Sequence, residues 1–340
     1  MNSFRALATV GLAAFCGPVH GDDISDFYKG KVVTIMVGTA PGGGYDTTAR
    51  IFATNLSKHI PGNPSVVVQN VPGGGGLKAA VTLYNVSPKD GTALGDFSAN
   101  VILEPLYGNA QATYDSSKFE WIGSMDVDVQ ACGVWRGAGV GIKTLDDLIH
   151  AKKTITFGST APSGGTSLYP LFLKNAFGAP VKVINGYTTT KEVLLAMARG
   201  ELDALCGITQ ATSAEDLQSG DIDLFMHIGM DRKIATYGNA TPISDAVKTP
   251  EMRKIAELVF NPNLMSRPLV APPGVPKARV AALRKAFADN MADPETIALG
   301  KRANMQLTPM SGEDMEKMIT GFLATPPELV KKAYDYTHVE

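Results

Sequence analysis

Cysteine is scarce, three in 340 residues, and no two stand at a C-x-x-C spacing, which removes the usual zinc and thiol-redox frameworks. Histidine is equally sparse. Beyond the first segment of the chain His59, His150, His227 and His338 stand alone, without HxxxH or HExxH spacing, so neither a metal nor another cofactor is expected. An excess of charge is also missing: 31 Lys and Arg face 33 Asp and Glu, a net −2 with no long run of either sign. Nucleic acid and anionic membrane surfaces are therefore poor partners. No apolar stretch approaches the ~20 residues a membrane helix requires. There is no GxSxG elbow and no Gly-Lys-Ser/Thr triplet, so a serine nucleophile and a nucleotide phosphate both lack a setting. What is present is 44% apolar and 19% charged, an ordinary globular composition, long enough for two domains.

The first 21 residues differ from the rest. Arg5 and the amino terminus supply positive charge, Ala6 to Cys16 form an apolar core of eleven residues, and Val19 and Gly21 place small residues at −3 and −1. This pattern reads as a secretory signal peptide cut before Asp22, and it implies export to an oxidising compartment. A lipid anchor at Cys16 is the rival reading, disfavoured by the bulk of Phe15 before it. The mature chain keeps a net charge of −3 and two cysteines, Cys132 and Cys206, each in an apolar strand-like run. In an oxidising compartment they can pair; two buried free thiols fit equally well.

What the chain does have is glycine in clusters, each between a strand pattern and a helix pattern. KVVTIMV (31–37) is a buried strand, GTAPGGGYDTTAR follows, and a helix is expected over 47–59 with Asp46 as its N-cap. SVVVQNV (65–71) leads into PGGGGLKAA and a second helix. The strand TITFG (154–158) leads into STAPSGGTS and a third. Such loops let a backbone approach a ligand, and the helix that follows aims its unpaired N–H groups at the same point. None of the three loops contains Lys or Arg. An anion there is held by backbone N–H groups and by the hydroxyls of Thr39, Ser98, Ser159, Ser163, Thr166 and Thr188, which suits a carboxylate.

Elsewhere, strands are expected over 92–97, 119–125, 129–135, 181–186, 204–208 and 267–271. Further helices are expected after Thr144, after the hydroxyl-rich segment 187–190, and over 275–291, 294–303 and 312–323. Residues 22–31 read as a polar lead-in, and the region from about 209 to 262 as irregular. Repeated βα units imply parallel sheets, with ligands beyond the carboxyl ends of the strands.

Taken together, PGGGYDTTAR, VVVQNVPGGGG, PKDGTALG, the GST-to-GGTS loop, RGELDAL and LVAPPGVPKARVAAL resemble the periplasmic substrate-binding proteins of tripartite tricarboxylate transporters, the TctC-like Bug receptors. The resemblance covers residues 27 to about 323. It implies an α/β fold of the two-lobed periplasmic-binding-protein (Venus flytrap, type II) kind, each lobe a mostly parallel sheet flanked by helices. Lobe one is then 22–126 plus 266–340, and lobe two 127–265. It also implies two pincers that grip a carboxylate, the di- or tricarboxylate or aromatic acid, and no catalysis. One pincer is Thr39, Pro41, Gly42, Gly43, Gly44, Tyr45 and Asp46 with Gly74, Gly75, Ser98 and Asn100. The other is Ser159, Thr160, Ser163, Gly164, Gly165 and Thr166 with Tyr187, Thr188 and Asp203.

The family's Tyr-Lys-Gly segment is Tyr187-Thr188-Thr189 in this chain, and its histidine after the second loop is replaced near Tyr169. The ligand's identity is left open by these departures. The expected partners are a small carboxylate and the membrane permease subunits, with the receptor a monomer. Two alternatives are a secreted enzyme using Asp46 or Asp203 as general base and a ligand-sensing partner of a membrane sensor kinase.

Overall fold

The computed structural model describes residues 21–127, 129–230, 237–238, 240–305 and 307–338. The expected signal peptide, apart from Gly21, lies outside them. Among the described residues no helix is long and apolar enough to cross a membrane.

Two six-stranded sheets organise the chain. The first contains β1 (Val32–Val37), β2 (Ser65–Asn70), β3 (Ala93–Asp96), β4 (Glu120–Asp126), β11 (Ser266–Ala271) and β12 (Met310–Ser311), in the order β12-β4-β11-β3-β1-β2. The second contains β5 (Ala131–Trp135), β6 (Ile155–Ser159), β7 (Val181–Asn185), β8 (Ala204–Ile208), β9 (Ile222–His227) and β10 (Thr241–Pro242), in the order β10-β9-β5-β8-β6-β7. β1 runs parallel to β2 and β3, and β6 parallel to β7 and β8. The strands next to each crossover, β11 and β5, are antiparallel to their neighbours. This is the α/β two-lobed fold that the resemblance implies, but both sheets are mixed rather than mostly parallel, because the returning strand β11 and the incoming strand β5 run against their neighbours.

Alternation along β1 decides how lobe one packs. Val33, Ile35 and Val37 point into a cluster with Phe52 and Leu56 of α2 (Gly44–His59) and Leu283 and Phe287 of α9 (Lys277–Ala292). Met36 points the other way, towards Leu77, Ala80 and Leu83 of α3 (Leu77–Asn85). The sheet is thus covered on both faces, as parallel strands require.

Several expectations change. Residues 21–28 are a helix, α1, not a lead-in: Tyr28 is fully buried and its hydroxyl donates to the Gly91 carbonyl at 3.1 Å. The region expected to be irregular holds α7 (Gln210–Ser219), β9 and α8 (Pro250–Phe260). The chain closes with a further helix, α12 (Pro327–His338), which packs against α5 (Gly165–Phe177) and α8. Residues 327–338 therefore sit on lobe two, not with the rest of 266–340 on lobe one. Tyr336 of α12 meets Phe172 of α5 edge-on at 5.8 Å, while Tyr334 and His338 of the same helix meet Tyr107 of lobe one at 5.7 and 5.2 Å. The last helix thus makes a third link between the lobes.

The other two links are clamped by charge. Arg267 at the start of β11 has φ of 57°, a left-handed conformation that non-glycine residues seldom adopt. Its buried guanidinium donates from Nη1 to Asp126 Oδ2 at 3.1 Å, at the end of β4. The outgoing and returning strands are thereby joined where they leave lobe one.

Cys132 and Cys206 are paired. They stand opposite each other on β5 and β8, both fully buried, and form a disulfide across 74 residues of chain. Closing a loop of that length contributes roughly 4 kcal/mol when the unfolded chain is the one constrained. The double substitution Cys132→Ala, Cys206→Ala is expected to lower the urea unfolding free energy by about 2–4 kcal/mol, and reductant should shift the parent protein but not the variant. An unchanged unfolding midpoint would contradict this.

Candidate functional site: the interlobe cleft

A cavity of about 310 Å³ lies between the lobes at the carboxyl ends of β1, β3, β6 and β8. Its lobe-one wall is Gly38, Thr39, Ala40, Gly43, Gly44, Tyr45, the turn Pro72–Gly75, Ser98 and Asn100. Its lobe-two wall is Thr160, Ala161, Gly164, Gly165, Thr166, Thr188, Thr189, Thr190 and Gly207. Gln130 and Asn263, from the two crossover segments, close the hinge side.

The glycine loops of this wall open their helices without a side-chain cap, whereas the helix that starts at Thr190 in the same wall is capped by Thr189. α2 begins at Gly43 and α5 at Gly164, and neither N-cap has a side chain to accept the first-turn N–H groups. The same holds for α3, behind Gly76. By contrast α4 (Leu145–Ile149), α6 (Thr190–Ala198), α7, α8, α10 (Pro294–Arg302) and α11 (Gly312–Leu323) are each capped by a Thr, Asp or Ser side chain. Away from the cleft, α9 behind Pro276 is also uncapped. First-turn N–H groups have no partner within their own helix. Where two such turns from opposite lobes line one cavity, the donors and the positive ends of both dipoles converge on whatever occupies it.

The second glycine loop is needed for a different reason. Gly73, Gly74, Gly75 and Gly76 all have positive φ, between 56° and 145°, a run that no L side chain sustains. This brings the loop against its neighbours: a Cβ on Gly76 would lie 2.9 Å from Phe97 Cβ, and one on Gly75 would lie 2.6 Å from Ser163 Oγ. Ser163 donates to the Gly74 carbonyl at 2.8 Å, a direct hydrogen bond from lobe two to lobe one.

Asp46 does not occupy the N-cap. The helix starts three residues earlier than expected, because the glycines of Gly43-Gly44 themselves adopt the entry geometry, and Asp46 becomes its third residue. Its Oδ2 accepts from the Gly42 N–H at 2.8 Å, and its Oδ1 from Arg50 Nε at 3.0 Å and Asn70 Nδ2 at 2.9 Å. It therefore fixes the loop from behind. Burial on its own would raise its pKa, but the bonds from Arg50, Gly42 and Asn70 outweigh it and hold the carboxylate below the usual range. Asp203 also departs from its expected place. It sits at the start of β8, with Oδ2 accepting from Thr156 N and Oγ1 at 2.9 and 2.8 Å and Oδ1 from Lys153 Nζ at 3.3 Å. Thr156 is three residues before the cleft end of β6, roughly 10 Å along the strand. For Asp203 too, the opposing effect of burial is exceeded by hydrogen bonds, from Thr156 and Lys153, so its pKa is lowered. Neither aspartate is poised as a general base.

Of the other expected residues, Thr39, Gly43, Gly44, Tyr45, Gly74, Gly75, Ser98, Asn100, Thr160, Gly164, Gly165, Thr166 and Thr188 line the cavity. Ser159 is fully buried beneath it, sharing hydrogen bonds with Thr166 Oγ1 and the Ala161 carbonyl. Ser163 bridges the lobes at its edge. Tyr187 packs on the lobe-two core and is not part of the lining. Gly42 lines a separate hollow of about 470 Å³ behind the loop, whose walls mix Lys191, Glu215 and Asp216; Pro41 lines neither. Gln130, Gly207 and Asn263 carry no motif, and only their position at a strand end or crossover places them in the wall; Thr190 belongs to the hydroxyl-rich segment 187–190 and opens α6.

Comparison with known proteins follows the same lines. The model described as tripartite tricarboxylate transporter family receptor matches residues 48–333. A curated relative from Agrobacterium vitis, named UPF0065 protein in the TAR-I ttuE-ttuC' intergenic region, is 29% identical over 195 residues, which is 56% of this chain and 54% of the relative. The chain thus matches about half the length of its curated relatives. The solved structure of periplasmic binding protein BugD superposes with a TM-score of 0.70 at 19% identity, over 90% of this chain and 98% of that one. MatC from Rhodopseudomonas palustris, with bound malate, superposes at 0.67 and 14% identity, over 88% and 99%. At such identities the likeness is one of fold.

Asp96, at the end of β3, sits directly under the lobe-one loop. Its main-chain carbonyl accepts the Gly38 N–H at 2.8 Å. Its side chain is fully buried, and neither carboxyl oxygen has a hydrogen-bond partner among the described residues. Burial pushes its pKa well above the ordinary aspartate value, against the opposing charge of Arg267 and with that of Asp46. A group with a raised folded-state pKa contributes most below its unfolded pKa, and that contribution is lost as pH rises through the folded pKa. Asp96→Asn, which cannot ionise, is therefore expected to gain melting temperature relative to the parent as pH goes from 5 to 8. A difference that is flat over that range would contradict the assignment.

Proposed function

Because the chain belongs to the tripartite tricarboxylate transporter receptor family, whose members are periplasmic solute-binding proteins, we propose that it captures a small carboxylate between its lobes and hands it to a membrane permease. The observation that carries this reading is the pair of uncapped helix starts, at Gly43 on α2 and Gly164 on α5, lining one cavity from opposite lobes. Backbone donors at helix N-termini favour an anion, and charge-assisted bonds of this kind are the stronger ones. Malate bound to a protein with the same fold supports a carboxylate as that anion. The receptor works as a monomer in the periplasm, after loss of the leader at 1–21, and without turnover; the hydrogen-bonded states of Asp46 and Asp203 support the last point.

A receptor affinity near ~1 μM corresponds to about −8 kcal/mol. Millimolar ligand then stabilises the folded protein by about 4 kcal/mol. Thermal melts with mono-, di- and tricarboxylates are expected to show a rise of several degrees for at least one acid at 1 mM or below, and no shift with any of them would sink the proposal. Gly43→Val tests the jaw itself. Gly43 has φ of −79°, and the nearest group to an added Cβ is the Ala40 carbonyl at 3.6 Å, so the fold tolerates the change. The expected outcome is an unchanged unliganded melting temperature and at least a tenfold loss of affinity.

A further inference from the structure

The hinge side of the cleft is built from amides, and one of them has a fixed orientation. Asn263, 7% exposed, lies on the 3₁₀ turn Asn261–Met265 of the returning crossover and lines the cavity. Its Nδ2 donates to the Phe260 carbonyl at 3.1 Å and to the Tyr169 hydroxyl. A carbonyl oxygen only accepts, so the atom facing Phe260 must be the amide nitrogen. What Asn263 has left is Oδ1, an acceptor with no donor among the described residues.

A second buried amide sits in the same wall. Asn100, 5% exposed, lies on the 3₁₀ turn Ala99–Leu103, which packs against the turn carrying Asn263. It has no hydrogen-bond partner among the described residues and also lines the cavity. A carboxylate offers only acceptors. It is served by the N–H groups of the glycine loops and repelled by a lone amide oxygen. A buried acceptor left without a donor when ligand fills the cleft costs free energy, so the hinge wall calls for a donor on the ligand.

We propose that Asn263, assisted by Asn100, determines specificity by accepting a hydrogen bond from a hydroxyl or ammonium group of the ligand, so that the receptor selects carboxylates bearing such a donor over their plain alkyl counterparts. The inference rests on the carboxylate-receptor reading above and goes beyond it by fixing what must accompany the carboxylate. Sites built to hydrogen-bond a substrate group discriminate strongly against analogues lacking it.

The test is titration calorimetry of the full mature chain with malate, aspartate and succinate, which share a four-carbon dicarboxylate frame and differ by a hydroxyl, an ammonium or neither. Malate or aspartate is expected to bind at least tenfold more tightly than succinate. In Asn263→Leu the advantage is expected to fall to within about twofold, with succinate affinity little changed. Because Asn263 also holds Tyr169 and Phe260, the variant can lose its fold; the comparison of ligands on the parent protein then decides alone. Succinate binding as well as both others in the parent, or an advantage that survives in Asn263→Leu, would overturn this inference while leaving the receptor reading intact. If none of the three binds, the same comparison is made between the acid that raises the melting temperature and its analogue lacking the hydroxyl or ammonium. Equal affinity for that pair would overturn this inference, and only the absence of any binding acid would overturn both.

Discussion

The first turn of an α-helix has N–H groups that its own backbone does not satisfy, and this chain treats that fact in two ways. Where a helix starts away from the cleft, a Thr, Ser or Asp side chain usually meets the requirement, as at Thr144, Thr249 and Ser311. Where α2 and α5 start, glycine replaces the capping residue. The donors there are kept for something that arrives from outside. Other features of the cleft preserve this arrangement: Asp46 ties Gly42 down from behind, Asn70 holds the Thr39 carbonyl at 3.0 Å, and the left-handed run Gly73–Gly76 lets the neighbouring loop come close without side chains.

Two jaws are useful only if they keep their relation to each other. The strands that pass between lobes are joined by the buried Arg267–Asp126 pair, and Arg267 also lies over the ring of Tyr45 in the lobe-one jaw, 5.6 Å from its centroid. Inside lobe two, the Cys132–Cys206 bond locks β5 to β8. Gln130, two residues before Cys132, and Gly207, next to Cys206, are in the cleft wall. At the open edge the side-chain bond from jaw to jaw among the described residues, Ser163 to Gly74, is a single neutral one, worth about 1 kcal/mol. Such a contact favours closure without making it irreversible, as a receptor that must release its cargo needs.

Much of this was legible in the sequence. Period-two runs such as 31–37 and 65–71 fixed the strands of the first sheet, and three glycine clusters between strand and helix patterns marked both jaws. The errors have physical causes. Asp46 looks like an N-cap because it precedes Thr47, but the backbone freedom of Gly43 and Gly44 moves the helix start forward. Asp203 lies in a segment resembling a family motif, yet strand direction puts it at the opposite end of β8 from the ligand. Gln130 and Asn263 sit on crossovers that carry no repeat or motif. Their role comes only from tertiary placement, which local pattern does not encode. Residues 209–262 read as irregular because α7 and β9 are short and of mixed polarity, and they are held by lobe-two packing more than by their own periodicity.

The central claim is that uncapped first turns on opposite lobes grip one anion through their backbone, and amide NMR measures those groups individually. In an ¹⁵N-resolved titration with a binding carboxylate, the resonances of Gly43–Tyr45 on α2 and Gly165–Thr166 on α5 should shift together along one saturation curve. The first turns of side-chain-capped α8 and α11 should stay in place. If the ligand saturates while the α2 and α5 amides do not move, or if only one lobe's amides respond, the two-jaw account is wrong.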